Sequence, residues 1–165
     1  MNLRAARLPL LICGLLIAFT ASASDADNVK ASQAWIRVMP GGLPSGGYVV
    51  LENRGEQTVN LRGVRSETYG EVMLHKSSTE GGMGRMEKVD SLPIPAHGTA
   101  ALSPGGYHLM LMKASKPVKV GDKVKLSLQF TDGSTLDTDF DARPANAMDS
   151  DSGMAGMAGM DHHSH

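Results

Sequence analysis

Cysteine is almost missing from this sequence. Of 165 residues only one is Cys, Cys13, and it lies in a segment with the marks of an export signal. Residues 1–23 carry Arg4 and Arg7, then an apolar run from Leu8 to Phe19, and close on Ala21-Ser22-Ala23. Cleavage is expected after Ala23. A lipid-modified Cys13 is the alternative, disfavoured by the bulky Ile12 before it and by the few apolar residues separating it from Arg7. With the leader removed, the mature chain has no cysteine. Disulfides, CxxC redox chemistry, thiolate metal sites and cysteine nucleophiles are then excluded together.

Other absences narrow the function further. No apolar run after Phe19 is long enough to span a bilayer, so no membrane insertion is expected once the signal is cleaved. There is no excess of basic charge. Removing Arg4 and Arg7 leaves 14 basic against 17 acidic residues, a net charge of −3 with His neutral, which gives no reason to expect a nucleic-acid partner. No paired catalytic carboxylates, Ser/His/Asp arrangement or phosphate-binding loop stands out, so an enzyme is not expected. Aromatic residues make up 4% of the chain, with Trp35 the single tryptophan. It is read as a core anchor.

What is present is strand. From Val29 to about Ala142, short period-2 alternations are broken by Gly, Pro, Asn and Asp, as in a sandwich or barrel. Strands are expected at Gln33 to Met39, Gly47 to Asn53, Thr58 to Ser66, Glu71 to Lys76, Arg85 to Val89, Gly98 to Leu102, Tyr107 to Met112, Lys123 to Phe130 and Thr135 to Phe140. Turns fall at Pro40-Gly41-Gly42, Asn53-Arg54-Gly55, Ser103-Pro104-Gly105-Gly106 and Asp132-Gly133. Pro104-Gly105 fits a type II turn, because Pro fixes φ at the first central position and Gly accepts a positive φ at the second. The expected organisation is a signal peptide over 1–23, one folded domain over 24–143 and a flexible tail over 144–165.

The chemistry is concentrated between Met73 and Met112. In His108-Leu109-Met110, on a strand, alternation puts His108, Met110 and Met112 on one face. His75 ends one strand and Met86 opens the next, and a glycine-rich loop with Gly81, Gly82 and Gly84 can bring them together. Imidazoles and thioethers, without thiolate or carboxylate, suit Cu(I). Zinc would recruit Cys, or His with Asp or Glu, and calcium or magnesium would require oxygen ligands. Met73 and Met112 read as core residues, since Met commonly fills irregular cores. His97 reads as an exposed turn residue, and Met39 and Met83 fall in loops.

The order is His75, ten residues, Met86, twenty-one residues, then His108-x-Met110. It resembles the H(M)x10Mx21HxM motif of the periplasmic copper chaperone family PCu(A)C. The resemblance extends to Ala34-Trp35-Ile36-Arg37, Gly47-Tyr48, Leu74-His75, Val89, Pro95-Ala96 and the run Ser103 to Met112. It implies an all-β, cupredoxin-like Greek-key barrel or sandwich that binds Cu(I) through His75, Met86, His108 and Met110. It also implies periplasmic delivery of copper to the CuA subunit of cytochrome c oxidase, directly or through a thiol-bearing copper chaperone. Lys76 stands where the family's optional Met would be.

Beyond Pro144 lies a Met-Ala-Gly repeat with Met148, Met154, Met157 and Met160, closing on His162, His163 and His165. Lacking aliphatics larger than Ala other than Met, it cannot bury enough surface to fold alone. Thioethers favour Cu(I) and clustered imidazoles also take Cu(II), so the tail is expected to bind additional copper of either state and could bridge molecules into copper-linked oligomers. Against that stands a plain solubilising tail. Rival functions are an electron-transfer cupredoxin, which needs a Cys thiolate this mature chain lacks, and periplasmic copper sequestration for resistance.

Overall fold

Strict alternation decides which way the strands face. In β9 (Lys123–Phe130) Val124, Leu126, Leu128 and Phe130 are buried while Lys123 and Lys125 are exposed. The structure, a computed structural model, describes residues 23–148. The remaining elements are β1 (Val29–Arg37), β2 (Ser45–Asn53), β3 (Val59–Ser66), β4 (Tyr69–Glu80), β5 (Met83–Lys88), β6 (Leu92–Ile94), β7 (Thr99–Leu102), β8 (Tyr107–Ala114) and β10 (Thr135–Arg143). A four-residue helix, α1 (Asp25–Asn28), precedes β1 and starts on a reciprocal capping box between Ser24 and Asp27.

The strands run in the order β5-β4-β8-β2-β1-β10-β9-β3-β6, and β7 pairs with the far half of β2. All neighbouring pairs are antiparallel except β1 with β10. This is the all-β, cupredoxin-like architecture expected. Core side chains come from both ends of that order, with Leu74, Leu109 and Leu111 at one end and Leu61, Leu126, Leu128 and Phe130 at the other. Residues 1–22 of the expected signal peptide, and the tail residues Met154, Met157, Met160, His162, His163 and His165, lie outside the described residues.

Each of the nine expected strands is present, with differences that have local causes. β1 begins four residues early, at Val29, because Gln33 adopts φ +51° in a bulge where the register against β2 shifts between Ser32 and Trp35. The extra residue breaks the alternation that marks a strand. β6 carries Pro93 as an edge strand beside β3, which proline tolerates because an edge residue can do without one ladder donor. β4 and β5 extend to meet at Gly81 and Gly82, with φ of +61° and +80°. Glu80 pairs with Met83 across these two residues, so the connection is a tight hairpin of the primed type. Gly84 belongs to β5, not to a glycine-rich loop.

Gly105, at φ +86°, turns the chain into β8, and the Gly106 amide donates to the Ser103 carbonyl at 3.0 Å. That is the geometry expected of the Pro104-Gly105 turn. His97 sits in a turn with a largely exposed ring and pairs with Glu56 at 3.1 Å.

The core reading of Met73 and Met112 is corrected. Leu74, Leu109 and Leu111 face inward, so Met73 and Met112, of the opposite parity, lie half-buried on the outer face. Trp35 is also re-placed. It is 2% exposed, yet it lies outside the apolar core, on the outer face. There it packs on Tyr48 at 4.5 Å, with the Arg37 and Arg143 guanidinium groups over its ring at 5.4 and 5.1 Å.

The two faces of β8 give a paired test. Leu109→Ala should lower stability by about 2–5 kcal/mol through lost burial and a cavity, and Met110→Ala by well under that. Urea unfolding of the two proteins checks it, and equal losses would place Met110 in the core.

Candidate metal centre

The β4–β8 register brings the site together. His75 pairs directly with His108, and Met73 with Met110. Directly opposed residues of an antiparallel pair share a face, so these four side chains occupy two adjacent rows outside the barrel. The His75 and His108 rings lie 5.8 Å apart, edge to face at 90°. On the other side of β4, Met86 pairs with Ser77 and Lys88 with His75, which places both on the same face.

The nitrogens of the two rings are differently set. His108 is 8% exposed, and its Nδ1 lies 3.1 Å from the Gly106 carbonyl oxygen. A carbonyl can only accept, so Nδ1–H donates and the neutral ring presents an unprotonated Nε2. His75 Nδ1 is buried and has no hydrogen-bond partner. A buried polar atom left orphaned is costly unless a ligand completes it. Burial first, then the nearby His108 and Lys88, hold the His75 pKa below its ordinary value of 6.5. Its neutral, metal-binding form therefore prevails at neutral pH.

Exposure rises from one end of the candidate set to the other. His108 is buried, His75 and Met110 are half-buried, and Met86 is 54% exposed on β5. Among the described residues no three His, Cys, Asp or Glu side chains gather in a form that could hold a metal. A metal here would rest on two imidazoles completed by thioethers, a donor set that fits Cu(I) and fits zinc or calcium poorly. Lys76, at the optional Met position, points to the opposite face from His75 and sets its ammonium 5.4 Å over the Tyr107 ring.

The outer face continues past the histidines. Gly46 lies opposite Met110 and also opposite Arg37, and Tyr48 lies opposite Trp35. A Cβ on Gly46 would stand 2.6 Å from Tyr48 Oη, so only glycine lets the Tyr48 ring lie along the strand toward Met110. Arg37 Nη2 donates to the Ala147 carbonyl at 2.9 Å, which fixes the root of the tail to this face beside exposed Met148. Met39 and Met112 line a cavity of about 800 Å3 at the far end of β8 from His108. Met83 is the exposed first residue of β5.

Sequence reasoning missed Met73 on the candidate face. The signal was available, because Met73 stands two residues before His75 as Met110 stands two after His108.

Comparison with known proteins agrees with this architecture. Residues 29–142 match the family described as "Putative lipoprotein LpqE-like". "Putative lipoprotein Lxx21020" of Leifsonia xyli subsp. xyli is 35% identical over 112 residues, covering 67% of each chain. CuI-DR1885 from Deinococcus radiodurans is 33% identical, with a TM-score of 0.57 over 74% of this chain and 81% of that one. The apo PCuAC domain of PmoF2 shares the fold, with a TM-score of 0.61 at 23% identity over 73% of this chain and 94% of that one. The chain belongs to the LpqE-like family of PCu(A)C proteins.

Proposed function

We propose that this protein is an exported copper chaperone, a carrier and not an enzyme, that binds Cu(I) through His75, Met86, His108 and Met110. Copper is its cargo. The observation that carries the reading is the direct pairing of His75 with His108 on the outer face, one ring with a free Nε2 and the other with an orphaned Nδ1. Thioethers flank them and no carboxylate completes the set. The Cu(I) form of a relative at 33% identity supports it.

Transfer requires that ligands be replaced one at a time by those of an acceptor. The gradient from buried His108 to exposed Met86 suits such a hand-over, since an incoming thiolate can displace the exposed thioether first. The proposed acceptor is the CuA subunit of cytochrome c oxidase or a thiol-bearing copper chaperone, met in the periplasm. In the proposed organisation a domain over 24–143 precedes a copper-binding tail over 144–165, with Met148, Met154, Met157 and Met160 and the three terminal histidines holding further Cu(I) or Cu(II).

Two second readings have specific support. The density of Met and His in the tail favours storage, which a deletion strain separates from delivery. Loss of oxidase activity at low copper marks delivery, whereas copper sensitivity with a normal oxidase marks sequestration. The lipoprotein names of the family and of its Leifsonia relative favour an acylated Cys13. The intact mass of the exported protein distinguishes a chain starting at Ser24 from one starting at a lipidated Cys13.

An anaerobic Cu(I) titration against a competing chelator tests the site. The mature chain and a form ending at Ala147 should both retain one tight Cu(I), and loss of all tight binding on truncation would move the site to the tail. His108→Ala or Met110→Ala should weaken that Cu(I) by at least about tenfold, about 1.4 kcal/mol, without abolishing cooperative unfolding. Because burial holds the His75 pKa below its ordinary value, protons compete for it only at lower pH than for a free imidazole. Cu(I) affinity should fall as the pH drops into the acid range in which His75 becomes protonated. A steady rise in affinity above pH 7 would mean that a different ligand is deprotonating.

A further inference from the structure

The four residues of the family spacing are not the four that the sheet holds most closely. Met110 stands directly opposite Met73, which puts their Cβ atoms about 4.5–5.5 Å apart. Met86 stands opposite Ser77, four residues along β4 from Met73 and two strands over from β8. With about 3.3 Å per residue and about 4.8 Å between strands, the Met86 and Met110 Cα atoms are about 16 Å apart. That is longer than two extended methionine side chains joined through one metal, so only the twist of the sheet can bring the two thioethers onto one ion. The Met73 thioether, by contrast, lies in the same square as His75, His108 and Met110, half-buried and outside the apolar core.

We propose that Met73 is a further copper-holding residue, the inner thioether of the site. Cu(I) rests on His75, His108, Met110 and Met73, and Met86 joins it as the exposed thioether through which copper enters and leaves. The exchange is one of neutral ligands: one Cu–S bond forms as another breaks, and neither proton nor electron moves. Both imidazoles stay bound while the thioether that completes the site changes from the sheltered Met73 to the open Met86. The inference rests on the Cu(I) reading of the His75/His108 pair and adds a ligand to it.

The test uses the mature full-length protein with 13C-labelled methionine methyl groups and Cu(I) added anaerobically to one equivalent. Resonances are assigned by single Met→Leu substitutions, which nearly conserve volume. The Met73 and Met110 methyl signals should shift together, and Met73→Leu should weaken Cu(I) at least about tenfold, more than Met86→Leu does. A stationary Met73 signal beside a shifting Met86, or wild-type affinity in Met73→Leu, would overturn the proposal and leave Met73 as packing. His75→Ala separates the two levels of argument, because undiminished binding in that variant would remove the site itself. The wild-type methyl shifts give the answer even if a variant folds poorly.

Discussion

The antiparallel register between β4 and β8 is the constraint on which the molecule depends. It sets Leu74 against Leu109 and Val72 against Leu111 on the inside, and His75 against His108 and Met73 against Met110 on the outside. A slip of one residue would exchange the faces. With β8 slipped, the His108 ring would enter an apolar core without a partner, and Leu109 and Leu111 would face water. The apolar rows therefore lock the register, and the register assembles the candidate metal-binding face. Stability and the candidate site are two consequences of one pairing.

The chemistry of that face follows from its position on the sheet. A site built between facing loops could gather charged ligands from several directions, whereas one built on adjacent strands receives whatever alternation sends outward. Here alternation sends outward His75, His108, Met73 and Met110, while the carboxylate in the same row, Glu71, is paired with Lys113 at 2.8 Å. Imidazole and thioether cost little to half-bury, and a carboxylate would cost more. The same burial that lowers the His75 pKa keeps its ring neutral, with one nitrogen unprotonated. Lys88, opposite His75, adds positive charge that favours the neutral ring. The surroundings thus prefer a bare imidazole, the form a soft cation needs.

The Trp35–Tyr48 pair extends this surface. Both rings are buried although neither belongs to the apolar core, because Arg37 lies over the two of them and Arg143 over Trp35. Arginine stems and planar guanidinium groups cover aromatic faces while remaining hydrated at one edge. Arg37 also holds the Ala147 carbonyl, so the chain leaves the folded body on the face that carries the histidines and methionines. The tail root and the candidate site are thus presented to the same side of the molecule.

Much of this was legible in the chain. Alternation in 123–130 and 107–112, the turn at Pro104-Gly105 and the His-x-Met parity at 108–110 are local properties, fixed by strand geometry and by the φ preferences of two residues. The spacing of His75, Met86, His108 and Met110 carried the family. A bulge at Gln33 and a three-residue edge strand around Pro93 left no periodic trace long enough to read. Parity within one strand states which residues share a side but not which side is the inside. That is decided only when β4, β8 and β2 pair and the leucine rows find a common core. Met73, Met112 and Trp35, each apolar enough to fill an interior, were then left on the outer face because the interior was already filled by side chains of the other parity.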